Sequence, residues 1–138
     1  MKNEELIKEA IRARENAIAT YSDFRVGSVV VTRSGKVFTG CNVENSTYGL
    51  TMCAERVAIF KALSEGEREF TKIAVAADTP QPCYPCGACR QIIWDFAPDA
   101  EIICANLHGQ IEVFRAGDLI PHAFGANNLD HKKEVNHE

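Results

Sequence analysis

Apolar residues recur at helical spacing near the start of the chain. Leu6, Ala10, Ala13 and Ala17 fall on one stripe, with Ile7, Ile11 and Ile18 beside it. That period predicts an amphipathic helix over residues 3–18, ended by Tyr21-Ser22-Asp23. The pattern then becomes a valine-rich run at 26–32, a Arg33-Ser34-Gly35-Lys36 turn and a second apolar run at 37–43. Two strands so closely linked predict an antiparallel hairpin. Residues 44–51 form a polar loop. Residues 52–64 predict a helix, with Ala54, Val57, Ala58, Phe60 and Leu63 on its apolar faces and Gly66 as its stop. A short buried strand follows at 73–77, then the proline-rich loop Thr79-Pro80-Gln81-Pro82-Cys83-Tyr84-Pro85. A third helix is expected over 87–96, halted before Pro98. Strands at 102–105 and 111–114 join around His108-Gly109.

These elements contain two overlapping strand–helix–strand units, 37–77 and 73–105. Such crossovers make parallel pairs of one hand. If both step the same way, both helices cover one face, and their N-termini meet at the carboxyl edge of the sheet, where open α/β folds bind ligands. The expected fold is a three-layer α/β/α arrangement around a mixed five-stranded sheet.

Composition narrows the function. The chain has 138 residues, so a single domain over 1–138 is expected, with about 126–138 as a loosely ordered tail. Apolar residues make up 46%, enough for a core without staples. Net charge is −4 and the basic residues are scattered, as at Arg12 and Arg14 or Arg33 and Lys36. A nucleic-acid binder gathers them into a patch, so no nucleic-acid partner is expected. No apolar run approaches the ~20 residues of a membrane span, and the first residues lack the apolar stretch of a signal peptide. No membrane partner and a cytoplasmic location are therefore expected. There, cysteines serve more often as metal ligands or core residues than as disulfides.

Both central helices begin with cysteine. One start reads Cys53-Ala54-Glu55-Arg56, the other Pro85-Cys86-Gly87-Ala88-Cys89. Cys86 and Cys89 are one helical turn apart and face one point, and Cys53 arrives from the neighbouring helix. Three thiols and no evident fourth protein ligand suit a catalytic zinc with a position open to water. Three thiolates leave the metal formally negative, which weakens its effect on that water. Two helix N-termini and Arg56, a candidate donor to the thiolates, offset this. Glu55, two residues from a ligand, is placed to shuttle protons. Each piece alone has a plainer reading. Cys-x-x-Cys is also a redox pair or half of a structural zinc site, Cys53 a small core residue, and Glu55 a first-turn helix acid. Cys41, Cys83 and Cys104 are taken as structural, Cys41 and Cys104 as strand-core residues.

Taken together, the motifs resemble the cytidine deaminases, in particular the small homotetrameric kind with an all-cysteine zinc site. The resemblance runs through Tyr21 to Gly27, Gly40 to Asn45, Tyr48 to Arg56 and Pro85 to Arg90, and ends with Leu119 to Gly125. It implies one Zn2+ per chain on Cys53, Cys86 and Cys89, with Glu55 moving protons. It implies that Asn42 and Glu44 bind the ribose 3′-hydroxyl and that the Ala54 N–H holds the pyrimidine carbonyl. Phe24 and Phe124 would pack on the substrate, Phe124 from another subunit, and Tyr48 would lie near the sugar. The implied reaction is hydrolytic deamination of free cytidine and deoxycytidine at C4, releasing ammonia. Cys53, where nucleic-acid and deoxycytidylate deaminases usually carry His, and the short 106–110 connection favour the free-nucleoside branch. A blasticidin-type deaminase is the alternative, disfavoured by Asn42 to Asn45. A structural zinc module and a thiol oxidoreductase using Cys86 and Cys89 are rivals from other classes.

Overall fold

The computed structural model describes residues 1–129. It contains α1 (Asn3–Arg14), β1 (Val26–Thr32), β2 (Val37–Cys41), α2 (Ala54–Ser64), β3 (Phe70–Ala77), α3 (Gly87–Phe96), β4 (Glu101–Asn106), β5 (Ile111–Arg115) and the short α4 (Ala116–Leu119). The five strands form one mixed sheet in the order β2-β1-β3-β4-β5. β1 is antiparallel to both neighbours, β3 and β4 are parallel, and β5 returns antiparallel to β4.

Both crossovers are present. The first passes over β1, and the second joins adjacent strands. α2 and α3 therefore share one face, where Ala54, Ala58, Ile59 and Ile93 pack on Val30, Ile73, Val75 and Ile102. α1 covers the other face, with Leu6, Ile7 and Ala10 against Val29, Val31, Ala74 and Ile103. Burial on both faces explains why β1 reads as an unbroken valine run, with every residue buried. The fold is the three-layer α/β arrangement expected.

Several boundaries differ from expectation. α1 stops at Arg14, four residues early, because Ile18 leaves the helix to bridge Val43. Ile18 N donates to Asn42 O at 3.0 Å and Glu44 N to Ile18 O at 2.9 Å. β2 accordingly ends at Cys41, which is half-buried rather than core, whereas Cys104 is fully buried. α2 begins at Ala54 with Cys53 as its N-cap. Short 3-10 turns at Tyr48–Leu50 and Ala126–Asn128, and α4, had no signal in the hydrophobic period. Of the expected tail, 126–128 thus form a turn, and 130–138 lie outside the described residues.

Candidate active site

Cys53 and Cys86 are the N-caps of α2 and α3, and both have extended backbone. The two helices start at the carboxyl edge of the parallel strands, so the caps meet there. Cys89 joins them from the first turn of α3. The three thiol sulfurs all lie within 4.8 Å of one another, with Cys53 Sγ and Cys86 Sγ 3.5 Å apart. Tetrahedral zinc with Zn–S bonds of ~2.3 Å needs sulfurs roughly 3.8 Å apart, so small adjustments complete the set. No other Cys, His, Asp or Glu joins the group among the described residues. Cys86 is exposed, Cys53 half-buried and Cys89 buried, so the cluster faces outward on one side only.

That side opens into a cavity of about 220 Å³, lined among others by Phe24, Asn42, Glu44, Tyr48, Cys53, Ala54, Glu55 and Cys86. Glu55 is only 4% exposed. Burial pushes its carboxyl up to about 7, and the neighbouring Cys53 thiolate acts in the same direction. A carboxyl so placed exchanges protons near neutral pH. Cys53 is drawn down to about 5, first by its hydrogen bond with Cys89 and then by Arg56, whose Nη2 donates to Cys53 Sγ at 3.3 Å. Cys89 is pushed up as the proton-bearing partner. The Arg56 Nε is buried without an acceptor, a spare donor beside the thiols. The donor set therefore suits a thiolate-bound cation whose excess negative charge has a fixed counter-charge.

Asn42 and Glu44, both 6% exposed, line the same cavity. Asn42 Oδ1 accepts from Val26 N at 2.8 Å, and its Nδ2 donates to Phe24 O at 2.7 Å. Glu44 accepts from the Tyr21 and Ser22 amides at 2.9 and 3.0 Å and from the Ser22 hydroxyl. The Ser22 hydroxyl is the main reason its carboxyl sits below the usual carboxylate range. Both side chains thus hold the 21–26 segment in place, and each keeps hydrogen-bonding capacity to spare.

A family model for the cytidine and deoxycytidylate deaminase zinc-binding region matches residues 1–105. The chain belongs to this family. It is 48% identical over 131 residues to a cytidine deaminase of Halalkalibacterium halodurans, covering 94% of this chain and 99% of that one. The crystal structure of a cytidine deaminase from Burkholderia pseudomallei superposes with a TM-score of 0.88 at 50% identity, covering 90% of this chain and all of the other. A blasticidin-S deaminase of Bacillus cereus is more distant, 30% identical over 126 residues, with 83% of this chain and 89% of that one covered. The deaminase zinc-binding model and the geometry of Cys53, Cys86 and Cys89 agree on one Zn2+ per chain.

Set against the deaminase motifs, the structure brings Cys53, Cys86, Cys89, Glu55, Ala54, Arg56, Phe24, Asn42, Glu44 and Tyr48 to one place. It does not bring Phe124. That side chain is 60% exposed and does not line its own chain's cavity, and its carbonyl accepts from Gln91 Nε2 at 2.9 Å. Cys83, read as merely structural, lines the cavity as well, with its thiol pushed up to about 12 by burial. Ser22 and Thr51 also line it, although the sequence reading singled out neither. Both stood within quoted motifs, Tyr21 to Gly27 and Tyr48 to Arg56, but neither was given a role.

Proposed function

We propose that this protein hydrolyses free cytidine and deoxycytidine to uridine and deoxyuridine with release of ammonia. One observation carries the reading: a single cavity is lined by the buried Glu55, by Cys53 and Cys86 of the three-thiol cluster, and by the buried Asn42–Glu44 pair. The glutamate and thiols suit replacement of an amino group by water. The Asn–Glu pair suits a sugar hydroxyl, which both donates and accepts.

Cys53, Cys86 and Cys89 would hold the zinc, and Arg56, donating to Cys53 Sγ, would balance thiolate charge. Zinc, when bound, supplies Lewis acidity that brings a water within reach of deprotonation near neutral pH. Glu55 would take a proton from the attacking water and pass it to N3 as the water oxygen bonds to C4; it would then carry the proton of the new C4 hydroxyl to the amine, so that the C4–N bond breaks, C4=O forms, N3 keeps its proton and ammonia leaves. The Ala54 N–H belongs to the first turn of α2, where backbone donors lack intrahelical acceptors, and it holds the pyrimidine carbonyl. Phe24 packs on the base, Asn42 and Glu44 bind the 3′-hydroxyl, and Tyr48 flanks the sugar. On this reading the protein serves pyrimidine salvage, acting on nucleosides rather than nucleic acid.

Assembly and location are part of the same reading. Phe24 and Tyr48 line the cavity yet are exposed, and the exposed Tyr21 ring packs against Tyr48, an apolar rim suited to cover by another subunit. A homotetramer with shared sites, Phe124 reaching into a neighbour, provides that cover. Thiols that must stay reduced to bind metal fit the cytoplasm. No helix among the described residues is long and apolar enough to cross a membrane.

The test is ammonia release and the ultraviolet change on adding cytidine or deoxycytidine to purified protein. Turnover of both nucleosides is expected, with little on cytidine monophosphate or single-stranded DNA. Comparable rates on an oligonucleotide, or no nucleoside turnover by zinc-loaded protein, would overturn the reading.

A further inference from the structure

Between β3 and α3 the chain must deliver Cys86 and Cys89 to the metal site through a loop containing Pro80, Pro82 and Pro85. Prolines have no N–H, so such a loop has few donors of its own for its carbonyls. The donors come from elsewhere. At the far end of the loop, Arg90 Nε donates to Pro85 O at 2.7 Å. In the middle the loop itself donates, Cys83 N to Ala105 O of β4 at 3.0 Å. At the near end stands Asn106, the last residue of β4, 2% exposed.

Its amide is fully engaged. Nδ2 faces Thr79 O at 3.0 Å, Pro80 O at 3.3 Å and Gln110 Oε1 at 2.9 Å. Oδ1 accepts from His108 N at 2.9 Å and Gln110 N at 3.0 Å. One side chain thus ties the start of the loop to the turn between β4 and β5. Outside it, Asp78 Oδ1 and His108 Nε2 approach to 2.9 Å across the same gap, but both are exposed and add only a surface clasp. A buried amide with every hydrogen-bonding atom in use costs more to break than such a clasp.

We propose that Asn106 is a positioning residue for the metal site: its amide fixes the proline-rich loop against the β4–β5 turn and so sets where the Cys86 thiol stands. The proposal rests on the reading of Cys53, Cys86 and Cys89 as zinc ligands. Asn106 touches neither metal nor substrate and acts through the loop.

The decisive variant is Asn106→Asp. It keeps the acceptor that serves His108 N and Gln110 N, but sets an oxygen against the Thr79 and Pro80 carbonyls. Asn106→Ala removes both halves. Thr32→Val, a buried change at the opposite edge of the sheet that removes the acceptor of Lys36 N, controls for general destabilisation. Zinc-loaded proteins would be challenged with a chromogenic chelator, and cobalt-substituted proteins compared by their thiolate-to-metal absorption. Both Asn106 variants are expected to release zinc about tenfold faster, the size seen when groups supporting metal ligands are lost, and to shift the cobalt band. Thr32→Val is expected to release zinc as wild type does, even where its melting temperature falls as far. Wild-type release by Asn106→Asp, or equally fast release by Thr32→Val, would overturn the proposal. So would failure of both Asn106 variants to fold, since the role would then be global. Wild-type protein without zinc would instead overturn the reading of the ligands.

Discussion

A carboxyl group buried beside three thiols and an arginine pays a desolvation cost that an exposed first-turn glutamate avoids. Glu55 bears that cost, and burial is the leading reason its carboxyl lies near 7. At that value it both accepts and returns a proton at physiological pH, as a shuttle must. Glu55→Gln is therefore expected to keep its zinc and its fold while turnover falls by about 10²–10⁴-fold. Metal analysis and kcat on cytidine check this together, and a variant that lost zinc instead would mark Glu55 as a ligand support. The three-thiol group was legible because cysteines at two helix starts, with Glu55 beside one of them, together narrow readings that each piece alone leaves open. Asn42 and Cys83 were less so. Asn42 is both wall and brace, tied to Phe24 O and Val26 N, and no sequence pattern separates those uses. Cys83 looks like core because it is core, apart from the edge it shows the cavity. Asn106 gave no signal because its partners lie in a loop whose course the sequence does not specify.

The start of α2 carries Cys53, Ala54 and Glu55, so the seating of that helix on β2 and β1 decides the site. Gly40 sets how close it comes. A Cβ at Gly40 would stand 2.4 Å from Ala54 O and 2.6 Å from Ala58 N, both backbone atoms that cannot swing away. Gly40→Ala must therefore lift the first turn of α2 off the sheet. Overpacking of this kind costs about 1–3 kcal/mol. The expected outcome is lower stability in denaturant unfolding together with reduced kcat, because the same shift displaces Glu55. Gly117→Ala, whose added Cβ meets only Trp94 at 3.9 Å, is expected to change neither. Element types and order were readable because each buried face leaves a period, 3.6 for α1 and α3 and an unbroken run for the doubly covered β1. The ends were not. Ile18 extends the helical stripe in sequence, yet the pairing of its backbone with Asn42 and Glu44 takes it out of the helix. That pairing is long-range and leaves no local trace.

At the scale of the whole molecule, what stands out is a cavity open to solvent and an aromatic side chain, Phe124, that stays exposed outside it. Phe124 is 60% exposed, and Tyr48, which lines the cavity, stacks edge-on with the exposed Tyr21 at 6.2 Å. A deaminating site needs water excluded from all but the attacking position, and one chain leaves this cavity uncovered. Phe124 sits on a segment fixed to α3 through Gln91 and, upstream, through Arg90 Nη1 donating to Leu119 O at 2.9 Å. It is thus held outward rather than loose, as a residue serving a neighbour would be. Packing within its own chain is the competing role, and subunit mixing separates the two. Phe124→Ala and Glu55→Gln homomers are each expected to be impaired. In hybrids of the two, an intact Glu55 can meet an intact Phe124 from the adjoining subunit. Co-expressed chains with different tags, purified through both, are expected to turn over cytidine well above the mean of the two parents. If such doubly tagged hybrids show only that mean, Phe124 serves its own chain, and the shared site must be given up while the chemistry of Glu55 and the three thiols stands.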